Sequence, residues 1–225
     1  VAEYQQLIQV LNLKKSETYF AKLSSIPTYE ERLAFLTGDT REERIYILRM
    51  VGQWLKQDAA QVCASQTLKS RYPLLQAYLG LMPDELGSVY NEYISEYKAH
   101  KLANTLPESD ERFFREIEPD SLPFRYSVIN QNITDSTVML WVDGLGFEYL
   151  SLLLDQLSQN KDGVVAFCAL AQALLPTETE FNEQWKQMSM PYEKLDKLDK
   201  LAHKGVVDEP DYYTCIEEQL TFFTK

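Results

Sequence analysis

Apolar residues in the first half of the chain recur at spacings of three and four. Leu7, Val10 and Leu11, then Phe20 and Leu23, fall together on one side of a helix. Thr28-Tyr29-Glu30-Glu31 and Thr40-Arg41-Glu42-Glu43 each set a threonine three residues ahead of a glutamate. In that pattern the hydroxyl accepts from a free backbone N–H and the carboxylate reaches back, which marks a helix start. The second box opens a run in which Ile45, Leu48, Val51, Gly52 and Leu55 share one face. Pro73 removes a backbone donor and predicts a kink or break. Pro83-Asp84-Glu85 predicts a further helix through about Leu102, with Leu86, Val89, Tyr90, Tyr93, Ile94 and Tyr97 as its stripe. The many tyrosines of this half suit half-buried packing at helical spacing. Residues 1–120 are therefore expected to form an all-helical domain without a sheet.

The pattern changes near residue 120. Pro119, Pro123, Asn130, Asn132 and Asp135 predict a loop-rich connector over 121–135. Ser136-Thr137-Val138-Met139-Leu140-Trp141-Val142 is a short continuous apolar run between turn residues, which predicts a fully buried strand of a parallel sheet. Helical spacing resumes at Tyr149, Leu150, Leu152, Leu153, Leu154 and Leu157, and Gly163–Leu170 offers a second strand. Strand, helix and strand in that order predict a βαβ unit. Helices are expected at about 193–203 and 209–223. The fold class so predicted is α+β: a helical N-terminal domain, then a partial α/β domain with a parallel sheet over 136–225.

Charge narrows the partners. The chain carries 22 Lys and Arg against 34 Asp and Glu, a net charge of −12. Such a surface argues against a nucleic-acid module, which needs a basic field to meet phosphates, and no direct nucleic-acid binding is expected. Residues 136–225 hold 7 basic and 15 acidic residues, a balance of −8, so phosphate chemistry there would call for cations such as metal ions. Cys63, Cys168 and Cys215 are odd in number and far apart. That spacing predicts neither a disulfide framework nor a zinc-thiolate site, and points to a reducing cytoplasm. No apolar run approaches the roughly 20 residues that span a bilayer, and no signal peptide opens the chain. The first residue is Val, which fits a piece of a longer protein.

Two stretches could carry chemistry. Asp143 follows the first predicted strand in Val142-Asp143-Gly144-Leu145-Gly146. Ligands of open α/β sheets bind at the carboxyl ends of strands, and a carboxylate there can hold a divalent cation. Capping of the next helix explains Asp143 equally well. Leu175-Pro176-Thr177-Glu178-Thr179-Glu180-Phe181-Asn182 follows the second predicted strand and reads as a helix start. A hydroxyl among free N–H groups can bind phosphate or act as a nucleophile. A capping box of Thr177 with Glu180 accounts for the first threonine, though not for a second threonine with Asn182 three residues beyond it.

Together these stretches resemble PglZ domains of the alkaline phosphatase superfamily, found in bacterial phage-defence systems of the BREX type. The resemblance covers about 136–225, and Leu195-Asp196-Lys197-Leu198-Asp199-Lys200-Leu201-Ala202-His203-Lys204-Gly205 is similar to a further stretch of those domains. It implies a metal-dependent phosphoesterase with Asp143 as a ligand of a two-metal site of divalent cations, zinc being the natural choice. It implies Thr179 as the nucleophile, Asn182 as a phosphate contact, a phosphoester as substrate and other phage-defence proteins as partners. The chain departs from the family in its remaining ligands: it holds two histidines, His100 and His203, and no Asp-His pair. A two-metal site cannot be completed from them. The stretch is thus expected to be the front part of such a domain and inactive by itself. A lone His203 on a Lys-rich helix end is expected at the surface, and the alternating Lys and Asp of 194–200 on a solvated helix face. The alternative is a non-catalytic scaffold or interaction module of a defence complex, since fold resemblance does not decide function.

Overall fold

The structure, a computed structural model, describes residues 17–81, 83, 88–105, 121–161, 163–165, 167–175, 178–188, 190–204 and 209–224. The helices among them are α1 (Glu17–Ser24), α2 (Tyr29–Phe35), α3 (Arg41–Gln57), α4 (Ala59–Ala64), α5 (Gln66–Arg71), α6 (Pro73–Leu79) and α7 (Ser88–Ala103). Then come α8 (Arg125–Asn132), β1 (Met139–Val142), α9 (Leu150–Ser158), β2 (Tyr192–Leu195), α10 (Lys197–Ala202) and α11 (Glu209–Phe222). The described residues are mostly helical with a two-stranded parallel sheet. No described helix is long and apolar enough to cross a membrane.

Local chemistry sets the helix starts where the sequence predicts them. Thr28 caps α2, accepting from the Glu31 N–H at 3.2 Å, and its hydroxyl donates to the Glu31 carboxylate at 2.7 Å. Thr40 caps α3 in the same way, accepting from the Glu43 N–H at 3.2 Å. The Glu43 carboxylate does not complete the box. It is buried, and accepts instead from the Tyr19 hydroxyl at 2.5 Å and the Thr37 hydroxyl at 2.8 Å. A buried carboxylate so satisfied ties α1 to the start of α3. Pro73 gives a clean break: α5 ends at Arg71 and Pro73 opens α6 in its first turn, where no N–H is needed. The expected start at Pro83-Asp84-Glu85 and the helix around Leu7–Leu11 lie outside the described residues, apart from Pro83 itself.

A buried core joins the two halves of the chain. Leu33, Val51, Trp54 and Tyr78 of the helical half share a buried cluster with Tyr149, Leu152, Leu198, Tyr213, Ile216 and Leu220 of the second half. The buried core thus runs across the 121–135 connector rather than stopping at it. α3 and α7 meet at Gly52, where an added Cβ would lie 2.9 Å from the Ala99 carbonyl oxygen and 3.0 Å from the Ala103 nitrogen. Only a residue without a side chain permits that approach. α11 closes against α3 through the Arg44–Glu217 pair at 2.8 Å and the Arg49–Glu209 pair.

Four expectations are corrected. The second strand is β2 at Tyr192–Leu195, paired in parallel with β1 in the register Met139 to Tyr192 through Val142 to Leu195. The described residues of Gly163–Leu170 form no strand, and Val164 is 91% exposed. An apolar β-prone run fits a pleated surface but does not choose its partner, so propensity alone misplaced the pairing. The helix expected from 193 accordingly starts at Lys197, after the strand. β1 is not fully buried: Leu140 is 56% exposed, because among the described residues the sheet has two strands and leaves the outer part of one face uncovered. The connector is not only loop, since Arg125–Asn132 form α8.

Candidate functional site

β1 ends where the predicted ligand stands. The Asp143 N–H donates to the Leu195 carbonyl at 2.8 Å, which extends the β1–β2 pairing by one bond. Gly144 then turns the chain with φ +74, and an added Cβ there would lie 2.7 Å from Asp199 Cα. The loop after β1 therefore packs directly on the backbone of α10, a position open only to glycine. Trp141 and Asp143, two residues apart, share one face of the strand, and Lys194 sits opposite Trp141 in the register. The Lys194 ammonium lies 2.8 Å from the Asp143 carboxylate, whose side chain is 14% exposed. The hydrogen bond to Asp143 holds the Lys194 pKa above the ordinary lysine value, with the charges of Asp143, Glu183 and Asp196 adding to it.

The second motif does not open an α-helix. Pro176 and Thr177 lie outside the described residues, as does the side chain of Thr179, so the Thr177–Glu180 box does too. Thr179–Phe181 forms a three-residue 3-10 turn, and Gln184–Gln187 forms another. The cause is Asn182. It is 3% exposed, and its amide donates to the Leu174 carbonyl at 3.1 Å and the Glu178 carbonyl at 3.0 Å. Its carbonyl accepts from the Leu174 N–H at 2.8 Å. A side chain that bonds the backbone on both sides of a loop competes with helix formation. Both amide protons of Asn182 are thus committed within the loop.

Arg125 joins the two motifs. Its guanidinium stacks over the Trp141 ring at 4.5 Å and donates to the Asn182 carbonyl oxygen at 2.6 Å. The segment before α8 also forms a parallel bridge, Phe124 to Gln172, so the 172–182 loop is held at both ends. Burial lowers the Arg125 pKa from the usual guanidinium range. A single side chain thereby touches both β1, two residues before Asp143, and the loop that carries Thr179.

No protein-family model, curated protein or solved structure matches the chain. The site is therefore read from its own geometry.

A cleft of about 440 Å³ opens beside the Gly144–Gly146 loop, walled by α7, α10 and α11. Its floor is a buried polar network. Lys101 donates to the Tyr149 hydroxyl at 2.7 Å and the Glu148 carboxylate at 3.2 Å, and Tyr149 donates to the Gln219 side-chain oxygen at 2.5 Å. Burial lowers the Lys101 pKa, and the Glu148 charge opposes that shift. Tyr97 in the wall is pushed up to about 12 by burial and by the Glu148 charge. Beyond the cleft, His203 is surface-exposed and pairs with Asp199 at 3.2 Å.

The resemblance implies a divalent cation, and the donor set does not fit one. Among the described residues no three His, Cys, Asp or Glu side chains gather as ligands. A catalytic zinc takes three protein ligands, and here Asp143 is held by an ammonium. Lys194 and Arg125 escaped the sequence reading. Lys194 lay in an alternating Lys/Asp stretch that fits a solvated helix face, and nothing adjacent in sequence marked Arg125.

Proposed function

We propose that the chain carries the front part of a PglZ-like phosphoesterase domain, in which Asp143 and the Thr179 loop belong to one phosphoester-binding site. The observation that supports this is Arg125, in contact with Trp141 beside Asp143 and with Asn182 three residues after Thr179. Further support comes from the place of Asp143 at the carboxyl end of a parallel strand, where α/β sheets bind ligands. On this reading Thr179 Oγ bonds to phosphorus, the ester bond to the leaving alcohol breaks, and the alcohol takes up a proton. Water then displaces the threonine oxygen and releases the phosphate product. Of the ligands of the family's divalent metal, zinc by preference, Asp143 would be one, and the described residues gather no further ones around it. The chain by itself is without turnover, and other phage-defence proteins are its partners in this reading.

A second reading, a non-catalytic scaffold of such a complex, is favoured by the committed amide of Asn182 and by the Lys194–Asp143 pair. Hydrolysis of an aryl phosphodiester with added zinc or manganese separates the two. The complete gene product should turn over, and Thr179→Ala should abolish it. Absence of turnover in the complete gene product, or turnover that survives Thr179→Ala, favours the scaffold or sinks the nucleophile.

A further inference from the structure

Asp143 in this chain already has a cation. The Lys194 ammonium stands 2.8 Å from its carboxylate, on the neighbouring strand and on the same face as Trp141 and Asp143. Backbone pairing continues past the strand end through the Asp143 N–H to the Leu195 carbonyl at 2.8 Å, which fixes the lysine stem beside the carboxylate. A divalent cation on the same carboxylate would sit roughly 2–2.6 Å from its oxygen. That is the space the ammonium fills, and two positive charges so close repel strongly.

We infer that Lys194 supplies at Asp143 the positive charge that a metal would otherwise supply, and that its ammonium keeps divalent cations off the carboxylate. The Lys194 side chain is 35% exposed and is not part of the buried core, so replacing it leaves the core packing in place. The device is a tethered internal cation on the carboxylate. It rests on the reading of Asp143 as a metal ligand.

The test uses Mn²⁺ alone, titrated into the chain with free Mn²⁺ followed by electron paramagnetic resonance. The proteins are wild type, Lys194→Met, Lys194→Gln and Lys194→Met with Asp143→Asn, each checked for fold by circular dichroism. Both single variants should bind Mn²⁺ about tenfold more tightly than wild type, and the double variant should lose that gain. Should wild type bind through Asp143 as tightly as the single variants, Lys194 is no barrier and the inference falls while Asp143 stands as a ligand. Should no protein show an Asp143-dependent site, the inference and the metal-ligand reading fall together.

Discussion

Lys98 is the most consequential buried charge of the helical half. It is 2% exposed, with its ammonium 3.2 Å from the Gly80 carbonyl oxygen and 3.1 Å from the Ser151 hydroxyl, and it clamps α7 to the end of α6 and to α9. Burial lowers its pKa to about 8 from 10.5, against the opposing pull of Cys63 and Glu148. The unfolded chain therefore binds the proton more tightly than the folded one. Below about pH 8 the folded state bears the full burial cost, about 3 kcal/mol for a shift of this size. Between the two pKa values the cost fades, so stability rises with pH, by about 2 kcal/mol from pH 6.5 to 9.5. Lys98→Met removes the proton from the account. It also leaves the Gly80 carbonyl without its donor, while Ser151 keeps its bond to the Tyr78 carbonyl at 2.8 Å. Near pH 7 the relieved cost and the lost bond roughly offset, at about 1–3 kcal/mol each. The pH slope is the clean readout. Urea unfolding across this range should show the wild-type midpoint climbing more steeply than that of Lys98→Met, by roughly 1 M, the slope left in the variant belonging to groups such as Lys101, whose pKa burial also lowers. Cys63, whose pKa is raised by burial, adds an opposite fall at the alkaline end, so the difference between the proteins is what counts. Parallel curves would refute the assignment of this slope to Lys98.

Gly52→Val should lower unfolding stability by about 1–3 kcal/mol by forcing α3 off α7, and an unchanged urea midpoint would show that the helices can separate freely. Arg125→Ala should free the 172–182 loop from β1, so limited proteolysis should cut that loop faster than in wild type; equal rates would remove Arg125 as the tether. Asn182→Ala should speed hydrogen exchange at the Leu174 amide, whose acceptor is the Asn182 side chain, and unchanged protection there would contradict the loop geometry.

The helical half was legible because each signal acts locally. Thr28, Thr40 and Pro73 set helix starts through bonds within three residues, whatever the rest of the chain does. β1 was legible for the same reason, as a short apolar run between turn residues. Its partner was not, because pairing is a long-range choice. Gly163–Leu170 has the better β composition, yet Tyr192–Leu195, with two charged residues, takes the place. The site divides the same way. Asp143 was found at a strand end, but Lys194 became visible only once β2 replaced the expected helix. The Thr179 loop was read as a helix start because the bonds from Asn182 back to Leu174, which prevent a helix, reach eight residues along the chain.

The proposed chemistry makes one species that nothing else in the chain would make: a covalent phosphoryl adduct on Thr179. Mass spectrometry of the complete gene product, quenched in acid during turnover of an aryl phosphodiester with zinc, should find the aryl-phosphoryl mass on the peptide that contains Thr179. Thr179→Ala and the present chain alone should show none. Turnover with an unmodified Thr179 peptide, or an adduct on a different residue, would contradict the account.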